Sequence, residues 1–147
     1  MAANSRFAVA THLMTSLALL GRSSGSSALA TSDELAASVN TSPIVVRRIL
    51  GLLREAGLVL GHPGRSGGTT LAKPETRITL LDIHRAVDEP MLFAFNKNRP
   101  NPRCPVSCRM KEILGPVFDD AERAVEERLR RVRLSELVDG LIRPATP

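Results

Sequence analysis

Between Thr31 and Ala56 the sequence specifies two short helices and the tight turn between them, and this segment limits the fold more than any other. Thr31 and Glu34 have the spacing of a capping box, in which each side chain accepts the other's backbone N–H, so a short helix opens there and buries Leu35, Ala36 and Val39. Ala36 is small where two helices must cross closely. Asn40 stands where the turn needs a left-handed backbone, a conformation Asn tolerates better than most residues other than Gly. Ser42 caps the next helix, and Pro43 takes its first position, where a missing N–H costs nothing. That second helix is expected to end near Gly57, with Val45, Ile49, Leu52 and Ala56 on its buried face and Ile44, Arg47, Arg48, Gly51 and Arg54 turned outward.

Beyond Gly57, the strand-like runs Leu58-Val59-Leu60 and Thr69-Thr70-Leu71 flank Gly61-His-Pro-Gly-Arg-Ser-Gly-Gly68, which cannot be helical and suits a hairpin. From Asn40 to Leu80 there are six basic residues (Arg47, Arg48, Arg54, Arg65, Lys73, Arg77) and two acidic ones (Glu55, Glu75), a net +4 out of +5 for the whole chain. A basic helix face alone is by default a solvated one. Here the capping pairs, the small residue, the turn Asn, the basic face and the glycine-rich hairpin follow in the order of a helix-turn-helix with a wing, whose natural partner is double-stranded DNA. Arg47 is the expected base reader, because its guanidinium can pair both acceptors of guanine. Arg48 and Arg54 are expected on phosphates, while Thr41 and Ser42 offer hydroxyls beside free helix N-terminal amides. Arg65 in the wing suits a narrow minor groove.

The rest of the chain reads as mainly α with this one small hairpin. A first helix is expected from Ser5 to Leu20, carrying Phe7, Ala10, Met14, Leu17 and Leu20 at helical spacing, followed by a loop at Gly21–Ser27. Thr79 and Asp82 form a second capping box, opening a helix with Leu80, Ile83, Ala86 and Val87 as its stripe and a stop before Pro90. Residues 1–90 are thus the expected winged helix-turn-helix domain, 91–106 a linker loop holding Cys104, and 107–147 a long helix with a tail. Pro116 should kink that helix or mark its true start. Its stripe of Ile113, Leu114, Val117, Phe118, Ala121, Val125 and Leu129 exceeds what a small domain needs, and a two-fold homodimer is the commonest way to bury it. The alternative is that the helix folds back on its own domain.

Arg6 before an apolar stretch and Ala28-Leu29-Ala30 imitate a secretory leader, but Thr11, His12, Thr15 and Ser16 interrupt the stretch, and its apolar residues recur at the spacing of an amphipathic helix. No run approaches the ~18 apolar residues of a membrane span, so no membrane association is expected. Two cysteines make no disulfide framework and suit a reducing cytoplasm. The chain has no nucleophile elbow, no phosphate loop with Lys and no supported His–carboxylate pair, so enzymatic activity is not expected. A winged helix that binds only protein, or an architectural DNA binder without sequence preference, would carry the same fold.

The stretches Asn4-Ser-Arg-Phe-Ala-Val-Ala10, Ser42-Pro-Ile-Val-Val-Arg-Arg-Ile49, Leu53-Arg-Glu-Ala-Gly-Leu-Val59, Gly67-Gly68 and Ile78-Thr-Leu-Leu-Asp-Ile83 resemble the Rrf2 family of bacterial winged-helix regulators, over nearly the whole chain. That family includes an iron–sulfur cluster regulator, a nitric-oxide-sensing repressor and a cysteine-metabolism repressor. The resemblance implies a homodimer joined through the long C-terminal helix and a palindromic operator. It also implies DNA contacts from Ser42, Pro43 and Arg47 and from Arg65, Ser66, Gly67 and Gly68 in the wing. Thr69 ends the stretch from Gly64 expected to meet the DNA backbone or minor groove, and it stands where many members carry an aromatic residue.

Cluster-binding members of the family place three cysteines in the loop before the long helix, whereas this chain has only Cys104 and Cys108. A cluster normally takes four ligands, mostly thiolates, so neither an iron–sulfur cofactor nor a metal is expected. Zinc would need His12, His62 or His84 to converge on the loop. Cys104 and Cys108 remain candidates for thiol redox sensing, with Arg103, Arg109 and Lys111 near a helix N-terminus, beside the reading that they are structural.

Overall fold

The structure, a computed structural model, describes residues 5–25, 28–87 and 92–143. In chain order these form α1 (Ser5–Ser24), α2 (Ser32–Val39), α3 (Pro43–Glu55), β1 (Val59–His62), β2 (Gly68–Leu71), a 3-10 turn at Glu75–Arg77, α4 (Leu80–Ala86), α5 (Pro105–Arg130) and α6 (Leu134–Ile142). The two strands pair antiparallel, Val59 opposite Leu71 through His62 opposite Gly68. The core gathers Leu13 and Met14 of α1, Val46, Ile49 and Leu53 of α3, Val59, Ile78, Ile83 and Val87, and Leu134 and Val138 of α6, all essentially without solvent contact. With no Trp or Tyr in the chain, this core is aliphatic.

Several expectations change. α1 continues through Gly21, Arg22, Ser23 and Ser24 instead of stopping at Leu20. Its last turn is held from outside: Arg22 Nε donates to Glu75 Oε1 at 2.6 Å and its Nη1 to Asp139 Oδ1 at 2.7 Å, tying α1 to the 3-10 turn and to α6. Both carboxylates hold the guanidinium in its charged form, Glu75 foremost. Tertiary contact here overrides the weak helix preference of Gly and Ser.

The buried face of α3 is Val46, Ile49, Leu50 and Leu53, not Val45, Ile49, Leu52 and Ala56. Val45 and Leu52 flank it half-buried, and Ala56 is an exposed cap. The shift is about one residue of helix rotation, roughly 100°. Ile44, Arg47, Arg48 and Arg54 still face outward.

The stretch after the long helix is also not a plain tail. Leu80 N–H donates to Val132 O at 2.9 Å and Leu134 N–H to Ile78 O at 2.8 Å, so residues 132–134 are paired with 78–80. α6 then lays Leu134 and Val138 into the core against α1.

α5 begins at Pro105, with Cys104 as its N-cap, and runs unbroken through Pro116. It carries no buried residue over 26 residues. The expected stripe divides in two. Ile113, Val117 and Val125 are exposed, joined by Val106 and Met110, while Leu114, Phe118, Ala121 and Leu129 are half-buried. Phe118 stacks on Phe93, with ring centroids 4.8 Å apart, and meets Phe95 at 5.0 Å, pinning the preceding loop to the helix. The stop expected before Pro90 falls outside the described residues; α4 itself ends at Ala86.

Candidate nucleic-acid interface

The reading head is built from local chemistry. Thr31 Oγ1 accepts the Glu34 N–H at 3.2 Å and Glu34 Oε2 accepts the Thr31 N–H at 2.7 Å, closing the expected capping box. That N–H, and then the Thr31 hydroxyl, hold the Glu34 carboxyl below its ordinary range. At the other end of α2, Asn40 takes φ 54°, ψ 54°, and the helix closes through Asn40 N–H to Ala37 O and Thr41 N–H to Ala36 O, the pattern of a Schellman turn. Ala36 is buried where α2 meets α3. Ser42 Oγ then accepts the Ile44 N–H at 3.2 Å, and Pro43 opens α3.

From α3, Arg47, Arg48 and Arg54 reach into solvent. The guanidinium of Arg54 lies over Gly61 of β1, where a Cβ would stand 3.0 Å from its Nη2. Arg47 Nη2 donates instead to Asp33 Oδ1 at 3.3 Å, across the two helices. Among the described residues no ion pair engages Arg48, Arg54 or Arg65. Ile44 is 75% exposed at the start of α3, an apolar side chain held in water beside these cations.

The wing is anchored from below. Ala30 N–H donates to Thr69 O at 3.2 Å and Thr69 N–H to Ala30 O at 2.8 Å, adding the residue before the α2 cap to the edge of β2. Thr69, expected among the DNA contacts, is therefore only 5% exposed and forms the base of the wing, not its outer surface. Gly68 permits this approach, because a Cβ there would stand 2.8 Å from Ala30 O. A Cβ on Gly67 would collide with the His62 carbonyl oxygen, so the turn closes only with Gly at that position. Arg65 and Ser66 project at the exposed tip, after Gly64 at φ +106°.

Between the start of α2, α3 and the wing lies a cleft of about 490 Å³. Its walls include Asp33, Arg47, Arg54, Gly61 and Gly67. The structure thus places Thr41, Ser42, Pro43, Arg47, Arg48 and Arg54 on the turn and α3, and Arg65, Ser66, Gly67 and Gly68 on the hairpin beside them. Asp33 and Ile44 were not among the expected site residues. The exposure of Ile44 was readable from helix phase, but the partner of Asp33 lies 14 positions away on another helix, and no local pattern signals it.

Cys104 and Cys108 are free thiols one turn apart at the start of α5. Cys104 Sγ accepts the Ser107 N–H at 3.5 Å, and Cys108 Sγ donates to Asn101 O at 3.3 Å. Among the described residues no three His, Cys, Asp or Glu side chains come together as a metal site.

A helix-turn-helix with an outward cationic face, followed by a glycine-built hairpin on a helical core, defines a winged-helix DNA-binding regulator. The Rrf2 model, described as iron-dependent transcriptional regulator, matches residues 3–140, and the chain belongs to this family. It is a transcriptional regulator and not an enzyme. It is 36% identical over 139 residues to YwnA of Bacillus subtilis strain 168, named as an HTH-type transcriptional regulator, covering 94% of this chain and 98% of that one. It is similar to a crystal structure described as that of a DNA-binding protein, at TM-score 0.68 and 32% identity over 90% of this chain and 97% of the other. It shares its fold with IscR of T. potens, at TM-score 0.71 and 19% identity over 100% of this chain and 94% of the other. The iron in the family's description meets no matching donor set among the described residues: two cysteines, both engaged with backbone groups of their own loop and helix, fall short of the four ligands a cluster normally takes. Among the described residues no helix is long and apolar enough to cross a membrane.

Proposed function

We propose that the protein is a cytoplasmic repressor that binds a palindromic operator as a homodimer. The reading is carried by the cationic face of α3 set beside the wing across one cleft. Arg47 reads a guanine in the major groove, Arg48 and Arg54 hold phosphates, and Thr41, Ser42 and the amides at the Pro43 end of α3 fix the register. Ile44 meets a thymine methyl, the natural partner for an apolar side chain at this depth. Arg65 and Ser66 reach the neighbouring groove or backbone on the turn made by Gly67 and Gly68. The exposed ridge of α5 supports pairing of two copies, and a two-fold dimer presents two such heads to a palindrome.

Selection of bound duplexes from a random pool tests this. An enriched palindrome is expected, with affinity falling steeply as salt rises because phosphate contacts release counterions. Arg47→Ala should relax the preference at one base position by about tenfold as well as weaken binding. No binding would favour a protein-interaction module, binding without enrichment an architectural role, and a uniform loss in Arg47→Ala would remove Arg47 as reader.

Thiol oxidation is the regulation this site supports best. Because Cys104 caps α5 and Cys108 is tied to Asn101, a disulfide between them, formed with loss of two electrons and two protons to peroxide that becomes water, would rebuild the first turn of the helix that carries the ridge. Peroxide or diamide should lower operator affinity in the wild type and leave Cys104→Ser and Cys108→Ser unchanged. Equal response in all three proteins would end the idea.

A further inference from the structure

Asp33 sits in the first turn of α2, one residue before the glutamate that closes the capping box. Thr31 and Glu34 satisfy that helix end, so capping does not require the Asp33 carboxylate. Asp33 instead accepts the hydrogen bond from Arg47 on the facing helix. The two side chains are 74% and 60% exposed, and an ion pair so open to water adds little to stability. A carboxylate on a surface that meets DNA also repels phosphate and lowers general affinity. Among the residues lining the cleft Asp33 is the single carboxylate, set against Arg47 and Arg54.

We propose that Asp33 is a positioning residue that sets base specificity by orienting the Arg47 guanidinium toward a base edge and withholding it from the phosphate backbone. The inference rests on the reading of Arg47 as base reader. A guanidinium is a planar fork of five donors. Asp33 occupies one at Nη2, which fixes the plane and leaves a donor pair for the two acceptors of guanine. Without that neighbour, a long cationic side chain finds phosphate on any sequence, and phosphate contacts carry no sequence information.

The test uses the full chain, its selected operator and a scrambled duplex of equal length at one salt concentration. Asp33→Ala and Asp33→Asn are expected to lower the operator-to-scrambled affinity ratio by about tenfold, partly through tighter binding to the scrambled duplex, with unchanged melting temperature. Added to Arg47→Ala, neither should lower the ratio further. Ratios within about twofold of wild type in both Asp33 variants, while Arg47→Ala still relaxes base preference, overturn this inference alone. A uniform loss in Arg47→Ala overturns the reading of Arg47 and this inference together. A loss from Asp33→Ala that persists in the Arg47→Ala background also overturns it, because Asp33 would then act on DNA by itself. So does a ratio that falls only alongside a lower melting temperature in both variants.

Discussion

Replacing Ile113 and Val117 together with glutamate is expected to yield a well-folded monomer that binds the operator about a hundredfold or more weakly than the wild type. The two residues are 60% and 57% exposed and about one turn apart on the outer face of α5, away from its half-buried side, so the change costs the single chain little. In the proposed dimer the same two positions meet a second apolar ridge, where unpaired carboxylates would each cost several kcal/mol. Loss of pairing halves the contacts on DNA and removes the advantage of joined heads, a factor of about 10²–10⁴. Sedimentation velocity, a melting curve and operator binding measure the three parts of the claim. A variant that stays dimeric would show that α5 is not the interface. A variant that becomes monomeric yet binds at wild-type strength would show that one head suffices.

Leu134→Ala should destabilise the protein by about 3 kcal/mol, within the range of about 2–5 for buried leucines. For a chain of this size that lowers the melting temperature by roughly 6–12 °C. Leu134 is wholly enclosed although it lies 13 residues from the C-terminal end, and its N–H is bonded to Ile78. Deleting its branched side chain leaves a cavity where α6 meets α1 and the 3-10 turn, which a backbone pinned at Ile78 resists closing. Calorimetry at fixed protein concentration checks it. A loss below about 0.5 kcal/mol, the range of ordinary surface substitutions, would show that α6 is a detachable tail.

What was legible in the sequence is what short-range chemistry decides. The two capping boxes, the Ser42–Pro43 start, the left-handed Asn40 and the glycine hairpin each depend on residues within a few positions of one another, and all stand as expected. The outward face of α3 was legible but its exact buried line was not, because Ile44-Val45-Val46 and Leu52-Leu53 place apolar residues on several faces, and burial is decided by α1 and β1 arriving from elsewhere. α6 was hidden for a similar reason: Leu134 and Val138 follow a strongly charged run, and only their docking on α1 and Ile78 makes them core. Thr69 looked like a wing contact until Ala30 was seen to cover it. The pairing of Asp33 with Arg47 likewise exists only once two helices cross.

The pairing of residues 132–134 with 78–80 has a mechanical consequence. It stitches the foot of α5 to the start of α4, while Arg85 reaches Glu126 at 2.9 Å a little farther along the same helix. α5 is therefore tied to the head at two places, by backbone pairing just past its end and by an ion pair from α4. In a pair of such molecules the spacing between heads would be a rigid length, so a distortion at the cysteine end of the arm would travel to the DNA as a lever's movement instead of being absorbed at a joint.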